Sequence, residues 1–172
     1  MGKYTTYGGG VDTYIEKNYL QKIIESFKKD IGENLVSIIL FGGFGKGEGS
    51  FEIIDNKPVP FNDFDFYIVT SEKLSEEELN KISHNASHSI NVGGLEIAYF
   101  PHEKYDKKKF FHIDVRCIPY NILTKLMKTQ RYYELKNKSI VIEGDETIVN
   151  NISEIKPEDI PDDLKELKNL GI

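Results

Sequence analysis

The stretch that decides the fold is residues 62–69, which read Asn-Asp-Phe-Asp-Phe-Tyr-Ile-Val. Polar and apolar residues alternate along it, and a period of two is typical of a β-strand with one face in the core. We expect Phe64 and Phe66 to point into the core, whereas Asp63 and Asp65 stand side by side on the opposite face. The stretch therefore predicts a strand that carries a pair of carboxylates.

This carboxylate pair is a candidate metal site. Two adjacent carboxylates repel and raise each other's pKa unless a cation lies between them. Hard divalent ions with oxygen ligands, Mg²⁺ above all, relieve the repulsion and keep coordination positions for phosphate oxygens. The alternative is a solvated strand face on which Asp63 and Asp65 are two unconnected acids.

A second segment, residues 112–117, alternates in the same manner. Its polar face carries His112, Asp114 and Arg116. If this strand neighbours the first, Asp114 converges on the same metal position; the alternative is an Asp–Arg pair on an exposed face. Glu96, on the strand expected just before this one, is the runner-up for the third carboxylate.

A glycine-rich stretch, Gly-Gly-Phe-Gly-Lys-Gly-Glu-Gly at residues 42–49, is a candidate phosphate site. It follows the apolar run Leu35–Phe41, which predicts a strand buried on both faces. We expect the stretch to open a short helix, where free N–H groups favour phosphate. Gly42 and Gly43 would let the backbone approach a triphosphate closely, and Lys46 could reach its charge. The alternative is a flexible loop.

The remaining pattern alternates between helices and strands, which predicts an α/β (α+β) domain with a central mixed β-sheet flanked by helices. The expected elements are a helix over 12–30, a hairpin or loop over 51–61, a helix over 75–88, strands over 95–100 and 111–118, a helix over 120–135 and a short strand over 140–142. Residues 1–10 are expected to be a flexible lead-in, residues 11–150 the folded domain, and residues 151–172 an acidic C-terminal segment.

Length and charge limit the classes of function. A chain of 172 residues favours one domain, and a net charge of −6 argues against a broad nucleic-acid footprint without excluding a nucleotide site. Cys117 is the single cysteine, so no internal disulfide can form and a reducing compartment is expected. The sequence contains neither an apolar run long enough to span a bilayer nor a signal-peptide core, which predicts a cytoplasmic protein.

The glycine stretch, the Asp-x-Asp strand and the later acid together resemble the DNA-polymerase-beta-like nucleotidyltransferase superfamily. The matching residues are Phe-Gly-Gly-Phe-Gly-Lys-Gly at 41–47, then Asp63-Phe64-Asp65, then Asp114. The chain looks most similar to small bacterial and archaeal nucleotidyltransferase-domain proteins, and the resemblance runs from Leu35 to about Asp145. It implies a nucleotidyltransferase-type mixed sheet.

Two departures from that pattern stand out. Nineteen residues separate Gly43 from Asp63, more than is usual, so residues 51–61 look like an inserted hairpin. The superfamily often has serine where Gly43 stands. Similar proteins also usually continue into a helical C-terminal region, which is either missing from this chain or supplied by a partner chain.

The resemblance implies metal-dependent transfer of a nucleoside monophosphate from an NTP, ATP among the candidates, to an acceptor hydroxyl, with release of pyrophosphate. Asp63 and Asp65 would hold two Mg²⁺ or Mn²⁺ ions, and Asp114 would complete the metal that activates the acceptor. Asp114 is also the candidate for receiving the proton. The acceptor could be a small molecule, a protein or a nucleic-acid end.

The phosphates of the nucleotide would fall to Gly42, Gly43 and Lys46. The alternative function is a catalytically inert nucleotide-binding or regulatory module that acts with a partner chain.

Overall fold

The structure is a computed structural model that describes residues 1–61, 63–90 and 112–161. Its strands are β1 (Leu35–Phe41), β2 (Phe51–Ile54), β3 (Lys57–Pro60), β4 (Asp63–Thr70), β5 (His112–Pro119) and β6 (Ile140–Gly144). Its helices are α1 (Gly9–Ile15), α2 (Gln21–Ile31), α3 (Gly42–Gly45), α4 (Glu76–Ser89) and α5 (Gln130–Asn137). The strand expected over 95–100, and Glu96 with it, lies outside the described residues.

Four strands form one mixed sheet in the order β5-β4-β1-β6. β1 is antiparallel to both β4 and β6, and β4 is parallel to β5. The interior position of β1 agrees with its apolar run, since Ile38, Ile39 and Leu40 are fully buried.

β2 and β3 form a separate hairpin, as expected for residues 51–61. Its turn places Asp55 and Asn56 in the left-handed region, at φ 51° and 60°. Aspartate and asparagine tolerate that region better than most residues, so the local sequence supports the turn.

The alternation of β4 separates two hydrophobic layers. Phe64, Phe66 and Ile68 lie in a layer with residues of α1, α2 and α4, and the rings of Phe27 and Phe66 meet edge to face with centroids 5.2 Å apart. Tyr67 lies on the opposite face in a second layer with buried side chains of α5 and of the 3₁₀ turns. Both faces of β4 are therefore buried over its second half, whereas its first residues reach the edge of the core.

The path from α1 to α2 contains a π-helical turn, Glu16–Leu20. The buried residues Ile15 and Leu20 are five positions apart, a spacing that would turn them to different sides of a regular α-helix. The wider π turn absorbs the extra residue and keeps both side chains in the core.

The segment after β5 is not the single helix that was expected over 120–135. The structure has a 3₁₀ turn, Tyr120–Lys125, then extended residues, then α5. Thr129 caps α5, its hydroxyl accepting a hydrogen bond from the N–H of Tyr132 at 3.2 Å. Met127 is 72% exposed, whereas Leu123 of the 3₁₀ turn is buried in the second hydrophobic layer.

The first residues differ from a flexible lead-in because Tyr4 and Thr5 are buried. The Asp12 carboxylate accepts hydrogen bonds from the N–H groups of Tyr4 and Thr5 at 3.0 Å and from the Thr5 hydroxyl at 2.7 Å. The carbonyl of Tyr4 accepts a bond from the N–H of Gly49, at the end of the glycine stretch. The segment therefore packs against the candidate phosphate site.

Within the described ranges, the helices are too short or too polar to cross a membrane.

Asp12→Ala should lower the free energy of unfolding by about 3 kcal/mol, since each buried donor left without an acceptor costs about 1–3 kcal/mol. Urea unfolding followed by circular dichroism measures the loss. Asp30→Ala is the matched control, because Asp30 accepts a bond from Asn85 at the protein surface, and it should change stability by less than about 1 kcal/mol. Equal effects of the two substitutions would contradict the role given to Asp12.

Candidate active site

Asp65 and Asp114 are direct neighbours across two parallel strands. The register of β4 and β5 pairs Asp65 with Asp114, and Asp63 with His112. Residues at one level of adjacent parallel strands project to the same face, with the strands about 4.8 Å apart. The expected neighbourhood of the two alternating strands is thus confirmed, and all three aspartates belong to one face of the sheet.

The donor set at this face suits a hard divalent ion, because carboxylate oxygens are the ligands that Mg²⁺ prefers. Among the described residues, however, no group of three or more His, Cys, Asp or Glu side chains is close enough to form a ready-made metal cluster. The structure therefore brings Asp65 and Asp114 together and adds Asp63 on the same face. Metal binding by the three residues stays a prediction.

The glycine stretch is a short helix, α3, placed against Asp65. Phe41, the last residue of β1, pairs with Asp65 in the sheet, so the chain turns into α3 beside that carboxylate. Gly42 has a φ of 66°, and a Cβ at this position would overlap Oδ2 of Asp65. Glycine is thus required at position 42 both by the backbone and by the close approach of the carboxylate.

Gly43 has more room than Gly42. A Cβ at this position would meet the Glu48 carbonyl oxygen at 3.5 Å, an ordinary contact. The N–H of Glu48 donates to the Gly43 carbonyl at 2.8 Å, which closes the turn behind the glycine pair. A small side chain is therefore compatible with the fold at position 43.

Lys46 makes a contact that the sequence analysis did not anticipate. Its ammonium lies 2.7 Å from Oε2 of Glu134, which is buried on α5. Oε1 of Glu134 also accepts a hydrogen bond from Gln130 at 3.0 Å. The lysine charge is thus directed to α5 in this structure, and phosphate binding by Lys46 stays untested.

Two arginines border the carboxylates. Nε of Arg116 lies 3.5 Å from Oδ2 of Asp114. The guanidinium carbon of Arg131 lies 5.8 Å from the centre of the Phe41 ring, within cation–π range, and Nη1 lies 3.5 Å from the Tyr67 hydroxyl. Arg131 therefore extends from α5 over the end of β1.

The pKa values of this group follow from the same contacts. Burial opposes the charge of Arg131, but the Tyr67 hydroxyl and then the charges of Asp114 and Asp65 outweigh it, so the pKa of Arg131 is raised. Burial raises the pKa of Tyr67 above its ordinary value, although Arg131 partly offsets the rise. The arginine charge is thus coupled to the carboxylate pair.

Arg131 is the residue that sequence reasoning missed. Tyr67, Asp114, Arg116, Arg131 and Tyr132 all contribute to the lining of one cavity of about 400 Å³. The composition could have drawn attention to this residue, since Arg116 and Arg131 are the two arginines among 22 lysine and arginine residues. Both lie beside the candidate site.

Comparison by sequence finds no matching protein-family model and no matching curated protein. Comparison of structures finds the spectinomycin adenyltransferase AAD(9) from Enterococcus faecialis, solved with ATP and spectinomycin. The TM-score is 0.52 at 16% identity, over 81% of this chain and 60% of AAD(9), so the chain spans less than two thirds of that protein. Likeness at this identity concerns the fold, and the chain has a mixed α/β fold of the nucleotidyltransferase type.

Proposed function

We propose that the protein is a metal-dependent nucleotidyltransferase that moves a nucleoside monophosphate from an NTP to an acceptor hydroxyl. One observation carries the proposal: Asp65 and Asp114 stand in register on adjacent strands, with the backbone of Gly42 against Asp65. The likeness to an adenyltransferase solved with ATP supports the same reaction class and makes ATP the first nucleotide to test.

The charge arrangement is the physical reason for a cationic ligand. Asp65 and Asp114 repel each other, and two cations act on them: Arg116, at 3.5 Å from Asp114 and half exposed, and Arg131, whose charge is coupled to both carboxylates. Asp63 adds a third carboxylate to the same face of the sheet. Bound Mg²⁺ or Mn²⁺ would add positive charge at these carboxylates, lower the pKa of the acceptor hydroxyl and neutralise the leaving pyrophosphate.

The residues of the chain would divide the remaining work. Asp63 and Asp65 would hold the ions, and Asp114 would receive the proton of the acceptor hydroxyl. The acceptor oxygen bonds to the α-phosphorus while the bond to the β-phosphate oxygen breaks. Gly42 and Gly43 would let the phosphates approach the backbone, which holds the α-phosphorus in line with the acceptor.

The class of acceptor is the next part of the proposal. The spectinomycin of AAD(9) suggests a small molecule as the first class to test, with proteins and nucleic-acid ends as the other classes. From the family resemblance, the proposal also includes a partner chain that contributes a helical region near the acceptor.

The direct test incubates the full chain with each α-labelled NTP, Mg²⁺ or Mn²⁺, and members of the three acceptor classes. We expect label on one acceptor and equimolar pyrophosphate, both abolished by a chelator. Nucleotide binding without transfer to any acceptor would favour the inert nucleotide-binding module. Failure to bind any NTP in the presence of either ion would overturn the proposal.

Asp65→Asn should lower the transfer rate by about 10²–10³-fold, the scale for losing one preorganised contact to a transition state. The melting temperature should hold or rise, because one of two neighbouring negative charges is removed. The control is Asp55→Asn in the hairpin turn, where asparagine suits the left-handed backbone and both properties should be kept. A lower melting temperature with unchanged transfer would make Asp65 a structural residue.

Gly43→Ala should weaken NTP binding by about tenfold, equivalent to about 1.4 kcal/mol, while the melting temperature stays close to that of the natural chain. The added methyl group fits the fold but occupies the space proposed for phosphate. Gly10→Ala, where a Cβ meets nothing within 4 Å, is the matched control for isothermal titration with Mg²⁺–ATP. Equal ATP affinities of the two variants would mean that the phosphates bind elsewhere.

A further inference from the structure

α5 turns two charged side chains toward different parts of the site. Arg131 and Glu134 are three residues apart, so they lie on neighbouring turns of the same face. Arg131 reaches the ring of Phe41 and the hydroxyl of Tyr67, whereas Glu134 binds Lys46. The helix is therefore connected both to the sheet and to the glycine stretch.

The position of Arg131 is defined from two sides. Phe41 directly precedes Gly42 and pairs with Asp65, so a guanidinium above its ring lies where the glycine stretch and the carboxylates meet. Tyr67 is two residues beyond Asp65 on the same face of β4, and its hydroxyl lies 3.5 Å from the guanidinium. A nucleotide whose α-phosphate sits at the carboxylates and whose other phosphates follow the glycines must pass this point.

The chemistry of Arg131 also suits phosphate. Its head is exposed, and its planar guanidinium can donate two parallel hydrogen bonds to a phosphate group. It contacts the Phe41 ring and the Tyr67 hydroxyl, and the charges of Asp65 and Asp114 act on it from nearby. The chain uses lysine at every basic position except Arg116 and Arg131, and both arginines border this site.

Lys46 is less suited to the same task. Its ammonium is 2.7 Å from a carboxylate that is only 9% exposed at the side-chain level. Movement of Lys46 to a phosphate would remove its ammonium from the buried Glu134 carboxylate, which is unfavourable. The Lys46–Glu134 pair instead joins the residue that follows α3 to α5, the helix that carries Arg131.

We propose that Arg131 binds the β- and γ-phosphates of the NTP, and that Lys46 with Glu134 is the pair that positions α5 for this contact. The inference rests on the proposed function, since it assumes a triphosphate at the carboxylates. Under this proposal, the residue that binds the negative charge of the triphosphate is Arg131 on α5 and not Lys46 of the glycine stretch.

The experiment compares nucleotides that differ in phosphate number. Displacement of a fluorescent ATP analogue from the full chain, in Mg²⁺, gives the affinities of ATP and AMP. Arg131→Gln should lower the affinity for ATP by at least tenfold and the affinity for AMP by less than twofold. Arg131→Lys should recover part of the ATP affinity. Arg116→Gln, which removes the same charge from the other arginine, should weaken ATP less than Arg131→Gln does.

A second comparison separates the positioning pair from a phosphate ligand. Lys46→Met should lower the melting temperature, because it removes the ammonium that faces the buried Glu134 carboxylate. The double variant Lys46→Met/Glu134→Leu should recover most of that loss, and its ATP affinity should fall by a smaller factor than that of Arg131→Gln. A double variant that recovers its melting temperature yet loses more ATP affinity than Arg131→Gln would return the phosphate role to Lys46.

Each remaining outcome is decisive. If Arg131→Gln keeps its ATP affinity while Gly43→Ala loses it, the role of Arg131 is overturned and the proposed function stands. Equal losses for ATP and AMP would also overturn the inference, since Arg131 would then act on the carboxylates alone. A natural chain that binds neither ATP nor any other NTP with either ion would overturn both proposals.

Discussion

The parallel pairing of β4 with β5 holds two like charges together against their repulsion. At the spacing of adjacent strands, two carboxylates near a protein surface repel by about 1–3 kcal/mol. On the opposite face of β4, Phe64, Phe66 and Ile68 are almost wholly buried, and each contributes about 1.5–3 kcal/mol. A shift of one residue would move these side chains to the face that carries the aspartates and would turn the aspartates toward the hydrophobic layer of Phe64 and Phe66. The hydrophobic layer therefore enforces a charge arrangement that is unfavourable by itself.

The parts of the fold that sequence reveals are those with a local cause. Three features can be predicted from neighbouring residues alone: the polar–apolar alternation of β4, the apolar run of β1 and the Asp-Asn turn of the hairpin. The start of α4 belongs to this group, since Ser75 and Glu78 form the reciprocal cap that the Ser-Glu-Glu-Glu pattern predicts. The adjacency of β4 and β5 remained a condition at the level of the sequence, and the register of the two strands meets it.

The parts that sequence did not reveal depend on distant contacts. Between Tyr120 and Thr129 the chain leaves the helical path, and its one local signal is Thr129, which caps α5. The Lys46–Glu134 pair spans 88 positions, so no spacing rule finds it. Residues 1–10 differ from the expectation for another reason. Their glycines predict a flexible backbone, but the carboxylate of Asp12, which lies outside the segment, accepts hydrogen bonds from the N–H groups of Tyr4 and Thr5.

The π turn between α1 and α2 has a consequence for related chains of different length. Ile15 and Leu20 both reach the core only because the turn holds one residue more than an α-helical turn. Loss of Lys17, the exposed residue of this turn, would leave a spacing of four, which a regular helix satisfies with both side chains on one face. This is a place where length can vary in evolution at little expense to the core, and alignments of relatives should allow a one-residue gap there.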